Sequence, residues 1–346
     1  MRQFVTAGLV FGLLFPAASV QAKTLYTANL GVDSGTCGGK TTPCRSITQS
    51  ITNAAVGDKI LVGPGVYGDI DNDGLYTTPG DETCNGSPGD CLIGISKSVA
   101  VVSTNGATAT LLNGAVTPGG SLVFITADNV QFGDKGKGFT LTTPSPVYEL
   151  MGEFGYHGVV MAGNHLLGAN GRGVTSRGTG NTIRDNVAIG NALEGIRLEA
   201  GSDTISGNVS QGNGQGIEFA FASSGNIVTK NIVQGNAGVG IRILASTSNF
   251  ITSNAIVGNL QAGVQFLFDS TSTLTGNSIY GNGRDGSNCG VENPGLGAIG
   301  AAGNFWGAAT GPGADPADAA CNTGAGSIAT TGFLTKPVNV LATPQR

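Results

Sequence analysis

The hydrophobic and polar positions of the chain repeat at a nearly constant interval over residues 158–286. An Asn returns with spacings of 22, 22, 23, 23 and 23 residues, at Asn164, Asn186, Asn208, Asn231, Asn254 and Asn277. All but the first of these positions open the motif Asn-x-x-x-Gly-Asn, as in NIVQGN at 231–236. A period of roughly 20–50 residues is typical of a solenoid, a propeller or another repeat array.

Apolar residues keep fixed places around each repeated Asn. Three positions earlier stand Met161, Ile183, Ile205, Val228, Ile251 and Leu274. Two positions later stand Leu166, Ala188, Ser210, Val233, Ile256 and Ile279. A Gly follows farther on, at Gly173, Gly195, Gly216, Gly240, Gly263 and Gly286. Several of these glycines open alternating apolar pairs: Ile196/Leu198, Ile217/Phe219, Ile241/Ile243 and Val264/Phe266. Alternation in such short pieces predicts three strands per repeat, separated by turns.

Three short strands per repeat predict an all-β fold, a parallel β-helix in which each repeat forms one coil. The repeated Asn residues then stack, and their amides hydrogen-bond from coil to coil and to the turn backbone. The Gly of the motif permits a positive φ in the turn. Leucine-rich repeats require a Leu scaffold that is absent here, and propeller blades require roughly 40 residues or more.

The segment PCRSITQSITNAAVGDKILVGPGVY, residues 43–67, predicts a cap before the first coil. Thr42 is placed to cap a short helix that Pro43 starts. One face of that helix is apolar and consists of Ile47, Ile51 and Ala54. A helix of this kind covers the open end of a solenoid, where core and strand edges are otherwise exposed.

The segment GNFWGAATGPGADP at 303–316 predicts a second cap after the repeats. It contains Trp306, the only Trp of the chain. We interpret Trp306 as a plug on the last coil, because a terminal coil must cover its apolar interior. Stacking of Trp306 against a ligand is the alternative.

The repeats and both flanking motifs resemble the right-handed parallel β-helix (pectin-lyase-like) superfamily, in its short-repeat branch. That branch also contains the periplasmic β-helix protein of nitrous-oxide-reductase maturation. The resemblance implies a right-handed solenoid with a surface suited to an extended polymer. It does not carry copper binding to this chain, which has only two His residues, His157 and His165. The catalytic signatures of polygalacturonase-like, alginate-epimerase-like and pectate-lyase-like chains are not recognisable, so we assign no catalytic residue.

The first 22 residues predict a secretory signal peptide. Arg2 supplies a positive charge, the apolar run from Phe4 to Phe15 is too short to span a bilayer, and Ala22 ends a small-residue cleavage pattern. We expect an exported protein, secreted or periplasmic, with no transmembrane segment in the mature chain. The mature chain is predicted to be one domain with a cap and irregular first coils, regular repeats and a C-terminal cap, at 23–157, 158–286 and 287–346.

The composition limits the possible binding partners and indicates the redox environment of the protein. A net charge of −5 and a pI near 5.0 argue against nucleic acid as a partner. The six cysteines of an exported chain predict three disulfides in sequence order, Cys37–Cys44, Cys84–Cys91 and Cys289–Cys321. A zinc site fits these spacings less well. Nothing in the composition indicates the oligomeric state.

The segment GDIDNDGLYTTPGDE at 68–82 is a candidate calcium loop. Alternating carboxylates followed by a turn Gly suit a loop wrapped around a hard cation. The candidate ligands are Asp69, Asp71, Asp73, Asp81 and Glu82. The pattern departs from an EF-hand because its twelfth position is Gly80 and no helical pattern flanks it. A solvated acidic turn is the alternative.

A second candidate site lies on the outer surface of the predicted coils. The outward residue between the two inward strand positions is Thr175, Arg197, Glu218, Arg242 or Gln265 in successive coils. We consider Arg197, Glu218 and Arg242 candidates for binding a polysaccharide, since Arg binds carboxylates bidentately. Glu218 lacks an evident carboxylate partner for hydrolysis, because Glu194 and Glu199 stand at other positions. Cross-strand charge pairing on a solvated face is the alternative, and for this row it is the favoured explanation.

The leading hypothesis from the sequence is an exported, polysaccharide-associated β-helix protein. A carbohydrate-active enzyme, a lyase before a hydrolase, and a purely structural surface protein are the alternatives. Aromatic residues that could stack on sugars are Phe221, Phe250, Phe266, Phe268 and Tyr280. The segment PSPVYELMGEFGYHG at 144–158 is predicted to be an irregular insertion that interrupts the repeat.

Overall fold

The computed structural model describes residues 21–71, 78–84, 90–116 and 118–340. Within these residues the chain forms three parallel sheets, one short α-helix and one 3-10 helix at Ala107–Ala109. We number the strands β1 to β31 in chain order and name the sheets A, B and C.

Sheet A has 12 strands, and neighbours in the following order are paired. They are β1 Thr24–Thr27, β2 Lys59–Val62, β5 Ala100–Ser103, β8 Gln131–Phe132, β11 Val160–Ala162, β14 Thr182–Arg184, β17 Thr204–Ser206, β20 Ile227–Thr229, β23 Thr247–Thr252, β26 Thr271–Thr275, β29 Ala298–Gly300 and β31 Ser327–Ala329.

Sheet B has nine strands. They are β3 Gly65–Gly68, β6 Thr110–Asn113, β9 Thr140–Thr142, β12 His165–Leu167, β15 Val187–Ile189, β18 Val209–Gln211, β21 Ile232–Gln234, β24 Ala255–Val257 and β27 Ser278–Tyr280.

Sheet C has ten strands. They are β4 Cys91–Ile95, β7 Ser121–Ile125, β10 Glu149–Glu153, β13 Arg172–Ser176, β16 Glu194–Leu198, β19 Gln215–Phe219, β22 Ile241–Leu244, β25 Val264–Leu267, β28 Cys289–Asn293 and β30 Ala319–Asn322.

From β2 to β29 the chain visits sheets A, B and C in turn, so three consecutive strands make one coil. This is the right-handed parallel β-helix that the repeats predicted. The coils before residue 158 follow the same order with longer turns: residue 59 pairs with 100, 100 with 131, and 131 with 160. The predicted insertion at 144–158 is therefore wrong in one respect, because it contains the regular strand β10.

The inward apolar positions form the core as the repeat predicted. The residues before each repeated Asn, from Met161 to Leu274, are fully buried, and those after it are also buried. The inward side chains of all three sheets belong to one continuous apolar cluster that ends near Trp306. The apolar residues before and after each repeated Asn are both held in the core. This explains why they keep their places in the repeat although the turns differ in length.

Three ladders of buried polar side chains run through the turns. In the first, Asn231 Nδ2 donates to Asn254 Oδ1 at 3.0 Å and to Ile205 O at 2.9 Å, while its own Oδ1 accepts from the backbone N–H of Asn208 at 2.9 Å. The second ladder contains the last Asn of each motif and was not predicted: Asn191, Asn213, Asn236, Asn259 and Asn282. The third contains Asn181, Asp203, Asn226 and Asn249.

The second ladder ends on a carboxylate rather than an amide. Asp318 Oδ2 accepts from both the backbone N–H and Nδ2 of Asn282, at 3.1 and 2.8 Å. An acceptor suits the end of the stack, because the last amide would otherwise leave its donors unpaired in the core. Burial raises the pKa of Asp318.

Glycines serve two different needs in each coil. The motif glycine turns the chain with a positive φ, +59° at Gly235, as predicted. The strand glycine instead allows close stacking, because a Cβ on Gly263 would lie 2.6 Å from Gly290 O in the next coil. In the coil formed by β26, β27 and β28, the strand glycine is therefore Gly290. The assignment of Gly286 was wrong, because the turn before β28 is longer.

Helix α1, Ile47–Asn53, closes the N-terminal end of the solenoid. It packs against β1, β2 and β4 with Ile47 and Ile51 buried. Ser46 caps the helix by accepting from Gln49 N, so the predicted start at Pro43 with Thr42 as cap is wrong. The chain at Cys44 is instead extended, since it forms a bridge with Thr27 of β1.

Trp306 is fully buried in the last coil, which agrees with a plug and leaves no exposed ring for ligand stacking. The predicted signal peptide lies outside the described residues except for its last two positions. In the ranges that the structure describes, no helix has the length and apolar character needed to cross a bilayer.

Candidate functional site

The outer face of sheet C carries two adjacent columns of polar side chains. The first is the predicted row, and the strand register places its members directly above one another: Thr175, Arg197, Glu218, Arg242, Gln265 and, one coil farther, Glu292. The second column was not predicted and consists of Ser121, Glu149, Arg172, Glu194 and Gln215. Both columns follow from the same parallel register, which converts residues about 22 apart into direct neighbours.

Glu218 is the centre of an ionic network in this face. It is 3% exposed and accepts from Arg197 Nη1 in the coil before it, and Arg242 Nη1 lies 3.5 Å away in the coil after it. Arg197 also pairs with Glu199 at 2.7 Å and with Glu194 at 3.4 Å. Burial raises the pKa of Glu218, the charge of Glu194 adds to this rise, and the two guanidinium groups oppose it.

The same network continues toward the N-terminal coils. Arg177 Nη2 lies 2.7 Å from Glu149 Oε2, and Arg172 Nε lies 2.6 Å from Glu194 Oε2. The ring of Tyr148 lies under both guanidinium groups, with its centroid 4.3 Å from Arg172 Cζ and 5.4 Å from Arg177 Cζ.

Gly152 lies in the first column next to these charges. A Cβ there would overlap Glu149 Oε1 and would lie 3.1 Å from Arg177 Nη1. A side chain at this position would therefore separate the Glu149–Arg177 pair, and the absence of one leaves room for it.

Several polar atoms of this face have no hydrogen-bond partner. In the described part of the chain, four such buried atoms belong to the two columns: Arg172 Nη1, Thr175 Oγ1, Gln215 Oε1 and Arg242 Nε. Buried polar atoms are normally paired, so a group without a partner in a folded protein calls for an explanation.

The structure gives Glu218 the carboxylate neighbour that the sequence did not reveal. Glu194 and Glu218 both contact Arg197 Nη1. Each of the two carboxylates also contacts a further guanidinium, Arg172 for Glu194 and Arg242 for Glu218. Carboxylates held in this way are anchored as ion-pair partners, and the arrangement alone assigns neither a general acid nor a nucleophile.

The candidate calcium loop brings together only part of its predicted ligands. Carboxylate oxygens of Asp69, Asp71 and Asp81 lie within 4.8 Å of one another. Two of these side chains, Asp69 and Asp81, are buried. Asp81 also accepts from Ile70 N and Thr78 N, at 3.0 and 2.9 Å, which orients its carboxylate. Oxygen donors of this type fit calcium. Asp73 lies outside the described residues.

Glu82 belongs to a different structure, and its inclusion among the calcium ligands needs correction. Its carboxylate accepts from Ile47 N at 2.5 Å and from Thr48 N and Oγ1 at 2.8 and 2.7 Å, at the start of α1. It is fully buried, and burial raises its pKa to about 7. Glu82 therefore attaches the loop to the cap helix.

The other candidate residues are dispersed. His157 Nδ1 lies 3.0 Å from Thr179 Oγ1 in a turn, whereas His165 is in β12 of sheet B. Phe266 is in the core, while Phe221 and Phe268 are exposed beside sheet C with ring centroids 5.5 Å apart. The structure contains disulfides at all three predicted pairs, Cys37–Cys44, Cys84–Cys91 and Cys289–Cys321.

Comparison with known proteins agrees with this architecture. The family model described as "Periplasmic copper-binding protein (NosD)" matches residues 153–311. The structure of pectate lyase Pel9A is similar with 13% identity and a TM-score of 0.53, over 92% of this chain and 80% of that one. An alginate lyase from Paenibacillus sp. str. FPU-7 has 15% identity and a TM-score of 0.47, over 90% and 99% of the two chains. No curated protein matched.

These findings define the class of protein. The chain is a right-handed parallel β-helix with the pectin-lyase-like fold, as the repeats and flanking motifs indicated. At identities this low the solved structures establish the fold, and function has to be argued from the residues of this chain.

Proposed function

We propose that this chain is an exported protein that binds a polysaccharide along the outer face of sheet C. The observation that carries the proposal is the pair of polar columns, which continues over successive coils on the outer face of sheet C. Coils about 4.8 Å apart make this face long and regular, a shape that suits an extended polymer rather than a compact ligand.

Three further observations support the proposal. The similar pectate lyase is named for a polysaccharide substrate, and the matching family model is described as periplasmic. The N-terminal sequence has the features of a secretory signal. Three disulfides suit an oxidising compartment outside the cytoplasm.

The test uses the purified chain from residue 23 onward and a panel of acidic and neutral polysaccharides. Binding is followed by affinity electrophoresis, and turnover by ultraviolet absorbance of unsaturated uronate and by release of reducing ends. We expect binding without turnover. Unsaturated product would instead establish a lyase, and reducing ends without unsaturation a hydrolase. Absence of both binding and turnover across the panel would favour a purely structural protein.

Substitution locates the binding face. Arg242→Ala removes a guanidinium that is 32% exposed in the first column, and we expect about tenfold weaker binding. Arg184→Ala is the matched control, because Arg184 is an ion-paired arginine on sheet A with 30% exposure. Equal losses in the two variants would contradict placement of the ligand on sheet C.

We also propose that Asp69, Asp71 and Asp81 hold a structural calcium ion. The three carboxylates lie close together and two of them are buried, and clustered oxygen ligands of this kind suit a hard cation such as calcium. Chelation should then lower the melting temperature, and calcium should restore it. Asp71→Asn should abolish that response, while Asp134→Asn, on sheet A, should keep it. An unchanged melting curve in excess chelator would remove the proposal.

A further inference from the structure

The charges on sheet C bear on which polysaccharide the proposed face accepts. The strands of this sheet, with the residues directly after β13 and β16, carry four guanidinium groups, on Arg172, Arg177, Arg197 and Arg242. The same described segments carry five carboxylates that belong to this face, on Glu149, Glu194, Glu199, Glu218 and Glu292. Glu153 is not counted, because it is fully buried and accepts from the backbone N–H groups of Arg177 and Gly178. The face thus has one carboxylate more than it has guanidinium groups.

The guanidinium groups are also already occupied. Arg172 pairs with Glu194, and Arg177 pairs with Glu149 and Glu199. A uronate that bound one of these arginines would lie beside the carboxylate that already pairs with it, and juxtaposed like charges cost several kcal/mol.

Arg197 and Arg242, at the centre of the network, are also already paired with carboxylates. Arg197 contacts three carboxylates, and Arg242 shares Glu218 with it. Glu218 is almost fully buried, so it cannot turn into solvent to make room for an incoming acid. Each guanidinium group of the network therefore already lies beside a carboxylate, which disfavours binding of a further anion.

A neutral sugar meets a different surface. Its hydroxyl groups donate to carboxylates, and such charge-assisted hydrogen bonds are stronger than neutral ones. Glu199, with 25% of its side chain exposed, and Glu292, which accepts from Gln265 Nε2 at 2.7 Å, offer acceptors along the columns. Tyr148, 41% exposed, offers a ring edge and face for the apolar side of a pyranose.

From these observations we infer that the glycan held on sheet C is neutral, rich in free hydroxyl groups and free of uronate. This inference rests on the proposed function and specifies its ligand class. It departs from the similar pectate lyase, whose named substrate is acidic.

The first experiment is affinity electrophoresis of the whole mature chain in gels that contain a glucan, a mannan or a galactan, or polygalacturonate or alginate. Ionic strength of about 0.15 M is used, because it screens the repulsion between an acidic polymer and the net negative charge of the chain. We expect retardation by at least one neutral polymer and none by the acidic ones. Retardation by acidic polymers alone would overturn the inference but leave the proposed function intact. No retardation by any polymer would overturn both.

The second experiment tests the carboxylates as hydroxyl acceptors. The double variant Glu199→Gln/Glu292→Gln should bind the neutral polymer at least about tenfold more weakly, because it loses two charged acceptors. The matched control Asp128→Asn/Asp134→Asn makes the same charge change beside sheet A and should bind like the wild type. Melting curves show whether each variant is folded, and Glu292→Gln alone replaces the double variant if that one is unstable. Unchanged affinity in a folded variant would contradict the inference.

Discussion

Asp203 is a carboxylate inside a ladder of amides, and replacing it by Asn tests the physical account of the ladders. Its Oδ1 accepts from Asn181 N at 2.8 Å, and its own N–H donates to Asn226 Oδ1 at 2.9 Å. Ser176 Oγ lies 2.8 Å from Asp203 Oδ2 and 3.2 Å from Glu153 Oε1. One hydroxyl proton cannot serve both carboxylates at once.

Burial raises the pKa of Asp203 from 3.8 to about 6, and the charge of Glu153 adds to the rise. Well below pH 3.8 the carboxyl is protonated in both the folded and the unfolded chain and contributes no penalty. As the pH rises from 3.8 to about 6, the unfolded chain loses the proton first, so folding becomes less favourable. Above the folded pKa the penalty is complete, about 3 kcal/mol at 1.36 kcal/mol per pKa unit.

Asp203→Asn removes this charge and supplies the donor that the other ladder positions have. We therefore expect its gain in unfolding free energy over the wild type to be small at pH 4 and to grow to about 2–3 kcal/mol at pH 8. Urea denaturation at the two pH values measures the difference. Asp134→Asn is the control with the opposite sign, because hydrogen bonding to Arg184 holds the pKa of Asp134 low despite some burial. A gain for Asp203→Asn that is equal at both pH values would refute the reasoning.

Two further substitutions test the packing that supports the candidate site. Asn231→Ala removes the acceptor of the backbone N–H and of Nδ2 of Asn208 and one donor to the carbonyl of Ile205, all in the core, and we expect a loss of about 3 kcal/mol in urea denaturation. A loss below about 1 kcal/mol would mean that the ladder is dispensable. Gly152→Ala should separate Glu149 from Arg177 and weaken polysaccharide binding, whereas Gly300→Ala, whose Cβ meets no atom within 4 Å, should leave binding unchanged. Equal binding by both alanine variants would count against a role for the Glu149–Arg177 pair.

The candidate site was only partly predictable for a reason that particular residues show. The first column was visible because Arg197, Glu218 and Arg242 share one place in the repeat. The second column was missed, since Arg172 and Glu194 precede the alternating pairs that marked the strands. Glu82 was assigned to the calcium loop by its position in the sequence, yet its partners Ile47 and Thr48 lie 35 and 34 residues away.

The sequence by itself determined the coil: its period, its inward residues and the stacking of Asn231 with its equivalents. These features repeat in each coil of residues 158–286, and burial or hydrogen bonding constrains each of them locally. The tertiary structure decided what depends on turn length and register, including the early coils in which residue 59 pairs with 100 and 100 with 131. It also decided which charges meet on sheet C. A solenoid tolerates turns of very different length as long as its strands remain in register, so distance along the chain does not predict contact across coils.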